Sequence, residues 1–231
     1  MKVFLCGGGD GQQTVLANKR LNEVIAHDKP LLYVPLAMEQ ALYPKCLKWI
    51  ENELKDVNFD GIDMVISKEE LYGKNLYDYC AVFIGGGNTY KLLAELKTSG
   101  CFKKFSDYIK NDGVVFGGSA GAIIFGEDIE SCKYDDKNEC NLTDTAGFNV
   151  LNGISLLCHY TNNDAEKDLK STYYLSELSK KRKIIALPEE DTIFVNGKVI
   201  EVIGTRPWFR FENGQRQTMT PQIKADLSAF I

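Results

Sequence analysis

The 231-residue chain is poor in histidine, with two in all, and carries only two tryptophans and six prolines. It has no excess of basic charge: 27 Lys and Arg face 32 Asp and Glu, a net charge of -5. A surface of that sign gives no electrostatic footing to a nucleic-acid backbone, which needs many spread cations. The one basic cluster, Lys180 to Lys183, reads as the solvated end of a helix. No apolar run approaches the roughly 20 residues of a membrane-spanning helix, so no membrane partner is expected. Met1 to Cys6 runs straight into Gly7-Gly8-Gly9 and leaves no room for a secretory apolar segment and cleavage site. The seven cysteines, at 6, 46, 80, 101, 132, 140 and 158, contain no Cys-x-x-Cys pair, and only Cys158 has a histidine beside it. That pattern argues against a disulfide framework and a structural zinc site. The expectation is a cytoplasmic protein with reduced thiols and no bound metal.

What the chain does have is apolar mass: 44% hydrophobic, 11% aromatic and 26% charged residues suit one α/β domain over residues 1–231. Lys2 to Cys6 and Leu31 to Leu36 are short runs rich in Val, Leu and aromatics, bounded by Gly or Pro, as buried parallel strands are. A helix from about Glu39 to Lys55, strands at Ile62 to Ile66 and Cys80 to Ile84, helices at Thr89 to Lys97 and Phe102 to Asn111, and a strand at Val114 to Phe116 continue the alternation. This predicts βαβ units in a mostly parallel sheet covered on both faces, with chemistry at the carboxyl ends of its strands. After about residue 183 the texture changes to short strands, Ile184 to Leu187, Thr192 to Val195 and Val199 to Ile203, with turns at Asn196-Gly197 and Asn213-Gly214. These read as hairpins.

The strongest local signal is Gly117-Gly118-Ser119-Ala120-Gly121, set between the strand Val114-Val115-Phe116 and the apolar helical start Ala122-Ile123-Ile124. It is the Gly-x-Ser-x-Gly elbow in its required strand, turn, helix context, with small residues where strand and helix backbones crowd together. Ser119 is thereby a candidate nucleophile; the alternative is a tight glycine turn with a helix-capping serine. A serine nucleophile needs a base, and only two histidines are available. His27 lies in the polar stretch Ala26-His27-Asp28-Lys29-Pro30 and reads as a surface residue, whereas His159 closes the apolar run Ile154 to Cys158, at the same edge as Ser119. The orienting acid is left between Glu189, after the strand Ile184 to Leu187, its neighbour Glu190, and Asp135 in the polar stretch Glu130 to Asp144. A second cluster, Gly85-Gly86-Gly87-Asn88-Thr89, also follows a strand and opens a helix, so its amides suit a phosphate or an oxyanion. Neither it nor Gly7-Gly8-Gly9-Asp10-Gly11 completes Gly-x-Gly-x-x-Gly, because Tyr90 and Gln12 hold the last place, which favours an oxyanion role with Gly87 and Ala120 as donors. The N-terminal cluster reads as a turn at the sheet edge.

Taken together, Gly-Gly-Gly-Asn-Thr at 85–89, Gly-x-Ser-Ala-Gly at 117–121, His-Tyr-Thr-Asn at 159–162 and Leu-Pro-Glu at 187–189 resemble, in order and spacing, the peptidase E (aspartyl dipeptidase) and cyanophycinase family of serine peptidases. The resemblance implies a fold like the class I glutamine amidotransferases, a flavodoxin-like sheet with helices on both faces, and serine in place of cysteine. It implies Ser119 as nucleophile, His159 as base, Gly87 and Ala120 as oxyanion donors and Glu189 as orienting acid, with Gly86, Asn88 and Thr161 binding substrate. Asp135 stands at the offset from the serine where an acid has also been proposed in the family. One departure bears on specificity: the Asp-X dipeptidases carry Gly-Glu-Thr-Arg after the histidine, whereas Asn162 to Asp168 here contain no arginine. Lys167 and Lys170 lack an arginine's bidentate fork, so strict specificity for aspartate is not expected. The reading is a serine-type hydrolase of small peptides, with no cofactor and with a homodimer allowed. Two alternatives are an esterase of the α/β-hydrolase type, in which more chain separates serine from histidine, and a non-catalytic small-ligand module on the same fold. Tyr160, Trp208, Phe209 and Arg206 are read as strand-edge packing ahead of pocket lining.

Overall fold

The computed structural model describes residues 1–221 and 224–230. In chain order its elements are β1 (Lys2–Cys6), α1 (Val15–Val24), β2 (Leu31–Val34), α2 (Tyr43–Glu53), β3 (Ile62–Met64), α3 (Lys68–Gly73), β4 (Ala81–Ile84), α4 (Thr89–Thr98) and α5 (Cys101–Lys110). They continue with β5 (Val114–Gly118), α6 (Ala120–Ile123), β6 (Ile154–Leu157), α7 (Ala165–Leu178), β7 (Lys183–Ala186), β8 (Thr192–Asn196), β9 (Val199–Ile203), β10 (Trp208–Glu212), β11 (Gln215–Met219), β12 (Lys224–Asp226) and α8 (Leu227–Phe230). The expected helix from Glu39 begins later, at Tyr43, after a short 3₁₀ turn at Gln40–Leu42. Pro44 in its first turn explains the start, since proline gives up only an amide that has no helical partner there.

The strands form two sheets. One has eight strands in the order β12-β9-β8-β1-β5-β4-β2-β3, and the other has four, in the order β11-β10-β7-β6. In the larger sheet β1, β5, β4, β2 and β3 run parallel, and β8, β9 and β12 extend it antiparallel through the Asn196-Gly197 hairpin. The fold is thus α/β with C-terminal hairpins, as the sequence predicts, but the sheet is mixed. The runs ending at His159 and before Glu189 leave it altogether: β6 and β7 pair in parallel with each other in the smaller sheet, with Leu157 opposite Ala186.

Period-two alternation splits β1 between two cores. Val3 and Leu5 join α4, α5 and the smaller sheet in one buried cluster that includes Leu93, Phe105, Leu156 and Ile185. Phe4 faces α1 and α2 with Leu21, Ile50 and Phe116. On that second face each of five adjacent strands places one aromatic in register with the next: Phe194, Phe4, Phe116, Phe83 and Tyr33. The rings pack at centroid distances of 4.1, 5.4, 4.8 and 5.9 Å, and Trp49 from α2 closes edge-on over Phe83 at 6.0 Å. Among the described residues no helix is long and apolar enough to cross a membrane.

The two sheets meet at Gly7, directly after β1. Its amide donates to the Asp191 carbonyl at 2.9 Å, and its carbonyl accepts from the His159 amide at 2.9 Å. A Cβ at position 7 would lie 1.9 Å from the Pro188 carbonyl oxygen, so only glycine lets the β1 end lie against the β7 end. Gly7→Ala is expected to destabilise the protein by roughly 1–3 kcal/mol or more in urea unfolding, as overpacking against backbone does. Gly73→Ala, where an added Cβ meets nothing within 4 Å, should leave the unfolding midpoint nearly unchanged.

Candidate active site

The carboxyl ends of β1, β4 and β5 lie side by side and deliver three turns to one rim. After β5 the chain reverses at Ser119, which is held at φ 53° and ψ -117°, a conformation rare for a residue with a side chain. The Ser119 amide donates to the Cys6 carbonyl at 3.2 Å, and the Ser119 carbonyl accepts from Ala122 and Ile123 at the start of α6. The flanking glycines are required sterically: a Cβ at Gly117 would fall 2.1 Å from the Gly121 oxygen, and one at Gly121 would fall 2.1 Å from the Ile84 oxygen. The turn therefore projects Oγ at the rim, as the elbow motif predicts.

His159 arrives from the smaller sheet. Its Nε2 lies 2.8 Å from Ser119 Oγ, and its Nδ1 lies 2.8 Å from Glu189 Oε1. Gly8 is the floor of this arrangement, because a Cβ there would sit 2.3 Å from the imidazole Cε1. His159 and Glu189 are 37% and 26% exposed at the side chain, so the chain of hydrogen bonds is sheltered yet open on one side. Glu189 is held from three directions. Gln13 Nε2 donates to its Oε2 at 2.9 Å, its own amide donates to Asn162 Oδ1 at 2.9 Å, and His159 takes the other carboxylate oxygen. The Gln13 carbonyl in turn accepts from the Asp10 amide at 3.3 Å, which fixes which way the amide faces.

The remaining sequence candidates fall in different places. Asp135 is not brought to the imidazole; its carboxylate pairs with Lys167 Nζ at 3.0 Å. Glu190 turns away to Arg206 at 3.2 Å and to Asn162 at 3.1 Å. Burial raises the Glu190 pKa, but the hydrogen bond from Asn162 and the Arg206 charge help hold it below its ordinary value. Gly86 stands against the serine, where an added Cβ would lie only 3.1 Å from Ser119 Cβ, and Gly87 follows at φ 134°. Asn88 is engaged as the N-cap of α4, accepting from the Lys91 amide at 2.9 Å and donating to the Lys137 carbonyl at 2.9 Å. Thr161 Oγ1 donates to the Tyr160 carbonyl at 2.6 Å and accepts from Arg206 at 3.1 Å. Tyr160 and Trp208 are each 1% exposed and pack in the interior. His27 is exposed and bonds the Asn22 carbonyl, far from this rim in role. Two thiols also approach the site, Cys6 and Cys158, but burial pushes both pKa values up and keeps them protonated. Gln13 is the contributor that sequence reasoning missed. Its only local signal is the Asp10-x-x-Gln13 capping pattern, which speaks of a turn and not of a partner 176 positions away.

A serine elbow at the carboxyl edge of a mixed α/β sheet, hydrogen-bonded through histidine to a carboxylate, defines an α/β protein of the hydrolase type. Residues 3–203 match peptidase family S51, and the chain belongs to that family. Among its relatives, an uncharacterised peptidase of Listeria monocytogenes is 34% identical over 127 residues, which cover 54% of this chain and 60% of that protein. Peptidase E of Shewanella denitrificans is 23% identical over 88% of this chain and 86% of its own. Two solved structures share the fold. A peptidase E-like protein from Listeria monocytogenes superimposes with a TM-score of 0.70 at 23% identity, covering 89% of this chain and 98% of that one. A peptidase from an acI-B1 actinobacterium gives 0.73 at 14% identity, covering 97% and 96%.

Beside the acid loop, Asp191 is fully buried, and its Oδ1 accepts from the Thr205 and Arg206 amides at 3.1 and 3.2 Å. Its Oδ2 has no partner among the described residues. Burial pushes this carboxyl up to about 6, against the two backbone hydrogen bonds. An acid that binds its proton more tightly when folded stabilises the fold fully below its ordinary value of 3.8, and that contribution is lost as pH rises through about 6. Asp191→Asn should accordingly gain in melting temperature relative to the parent chain between about pH 4 and pH 7. Melting curves across that range check this, and a constant difference would refute it.

Proposed function

We propose that the chain is a serine-type peptidase acting on small peptides, with Ser119 as nucleophile, His159 as general base and acid, and Glu189 as the group that orients the imidazole. The observation that carries the reading is the continuous path from Ser119 Oγ to His159 to Glu189, with 2.8 Å at each step, ending on a serine in a strained turn. With Nδ1 protonated and donating to Glu189, Nε2 is free to accept the hydroxyl proton. The Oγ–C bond forms at the peptide carbonyl, the proton passes to Nε2, and it is then returned to the nitrogen as the C–N bond breaks. Water repeats the sequence on the acyl-enzyme. The amide of Ala120, in the first turn of α6, and that of Gly87, in the turn facing Ser119, are the donors we assign to the developing oxyanion. Family membership and the relatives named peptidase E support the reaction class, and the absence of an arginine between Asn162 and Asp168 supports a specificity other than strict Asp-X.

The test is kinetic. Ser119→Ala should lower dipeptide hydrolysis by roughly three orders of magnitude or more without moving the melting temperature, as removal of a triad member does. A fluorophosphonate should label Ser119 in the parent chain. Unlabelled protein with unchanged turnover in the variant would leave the fold a binding module. The acid assignment is separable: Glu189→Gln should cost about a hundredfold or more in kcat, since the imidazole then loses its charged partner. Asp135→Asn, which gives up a surface pair with Lys167, should stay within about threefold. The reverse ranking would reassign the acid.

A further inference from the structure

A cavity of about 430 Å³ opens against Ser119 and His159, within the range of roughly 300–1,000 Å³ that small-ligand sites occupy. It lies at the upper end of the aromatic row on the α2 face. Its walls are built mainly from Tyr33, Met38, Leu42, Trp49, Phe83 and Phe116. Two acidic side chains, Asp10 and Glu53, and one lysine, Lys45, also reach it. Glu53 is buried, with its carboxylate occupied by the Gly11 amide at 2.7 Å, Asn18 Nδ2 at 2.7 Å and the Thr14 hydroxyl. Asp10 and Lys45 are exposed and of opposite sign. Among the described residues no arginine lines the space.

Resting on the serine-peptidase reading above, we propose that this cavity is the specificity pocket and that it takes an aromatic or long aliphatic side chain on the residue whose carbonyl is attacked. An acidic side chain entering it would lose its water against aromatic walls, would stand beside the Glu53 carboxyl group, and would find as its one lysine Lys45, which is exposed and shares the space with Asp10 and Glu53. A phenyl or isobutyl group would instead exchange water for contact with Phe83, Trp49 and Tyr33. The acyl side of the substrate is favoured because Gly86, Gly87, Gly118 and Ser119 form both the cavity's edge and the surroundings of the attacked carbonyl. The substituent one carbon away from that carbonyl therefore has the shortest route in.

The experiment compares kcat/KM for Phe-Ala, Leu-Ala, Ala-Ala, Asp-Ala and Ala-Phe. The first two should exceed Ala-Ala and Asp-Ala by roughly tenfold or more, the advantage expected from burying a large apolar side chain. Asp-Ala as the best substrate, equal rates across the series, or a preference confined to Ala-Phe would overturn the assignment. Leu42→Trp, which adds bulk from the half-buried rim, should lower the Phe-Ala to Ala-Ala ratio by roughly fivefold or more; an unmoved ratio counts against it. Binding is read separately in Ser119→Ala through the fluorescence of Trp49, the other tryptophan, Trp208, being 1% exposed. Phe-Ala should shift it saturably at concentrations at which Asp-Ala does not. Should no dipeptide be turned over, the peptidase reading falls, while this titration still decides the pocket: equal responses, or none, would overturn it.

Discussion

Gly7 contributes no side chain, and the geometry around it depends on that. Its carbonyl holds the amide of His159 and its amide holds the carbonyl of Asp191, so one residue at the end of β1 docks the carboxyl edge of the smaller sheet onto the rim of the larger. Two neighbours extend the constraint. Gly8 leaves the space that the imidazole fills, and Cys6 supplies the carbonyl that receives the Ser119 amide. Three consecutive backbone positions thus set where the serine, the histidine and the loop carrying Glu189 stand relative to one another. Backbone hydrogen bonds in a buried place are costly to leave unmade, and the arrangement is correspondingly rigid.

Upon that frame the site is an exercise in charge and strain held by neutral groups. Ser119 stays in an unfavourable backbone region because both of its peptide groups are bonded and its flanking positions admit no Cβ. Glu189 keeps its direction through two side-chain amides, Gln13 and Asn162, which offer hydrogen bonds without a competing charge. The Arg206 guanidinium is directed to Glu190 and Thr161. Among the described residues, the carboxylate facing His159 is paired with no lysine or arginine that would weaken its hold on the imidazole.

The parts readable in the sequence are those whose cause is local. The elbow could be read because its glycines answer steric demands within five residues, and His159 because a chain with two histidines leaves little choice. Glu189 could be favoured from its place after a strand, but nothing local separated it from Asp135: a solvated acid and an orienting acid look alike until strand pairing is known. The division into two sheets was hidden for the same reason. The apolar runs Ile154 to Cys158 and Ile184 to Leu187 read as strands without saying that each pairs with the other and not with β5. The aromatic row is likewise invisible along the chain, being one residue from each of five strands, and becomes a row only through register. Gln13 and the cavity belong to this class of long-range facts.

α2 serves two parts of the molecule at once. Cys46 and Trp49 on it wall the cavity, while Glu53 at its last turn grips Gly11, Thr14 and Asn18 on either side of Gln13, the residue that steadies Glu189. A guest pressing on this helix and the alignment of the proton path thus share one mechanical support. On the proposed serine-peptidase reading, fit at the periphery would reach the reacting centre through α2, and a well-shaped guest would gain in turnover more than in residence.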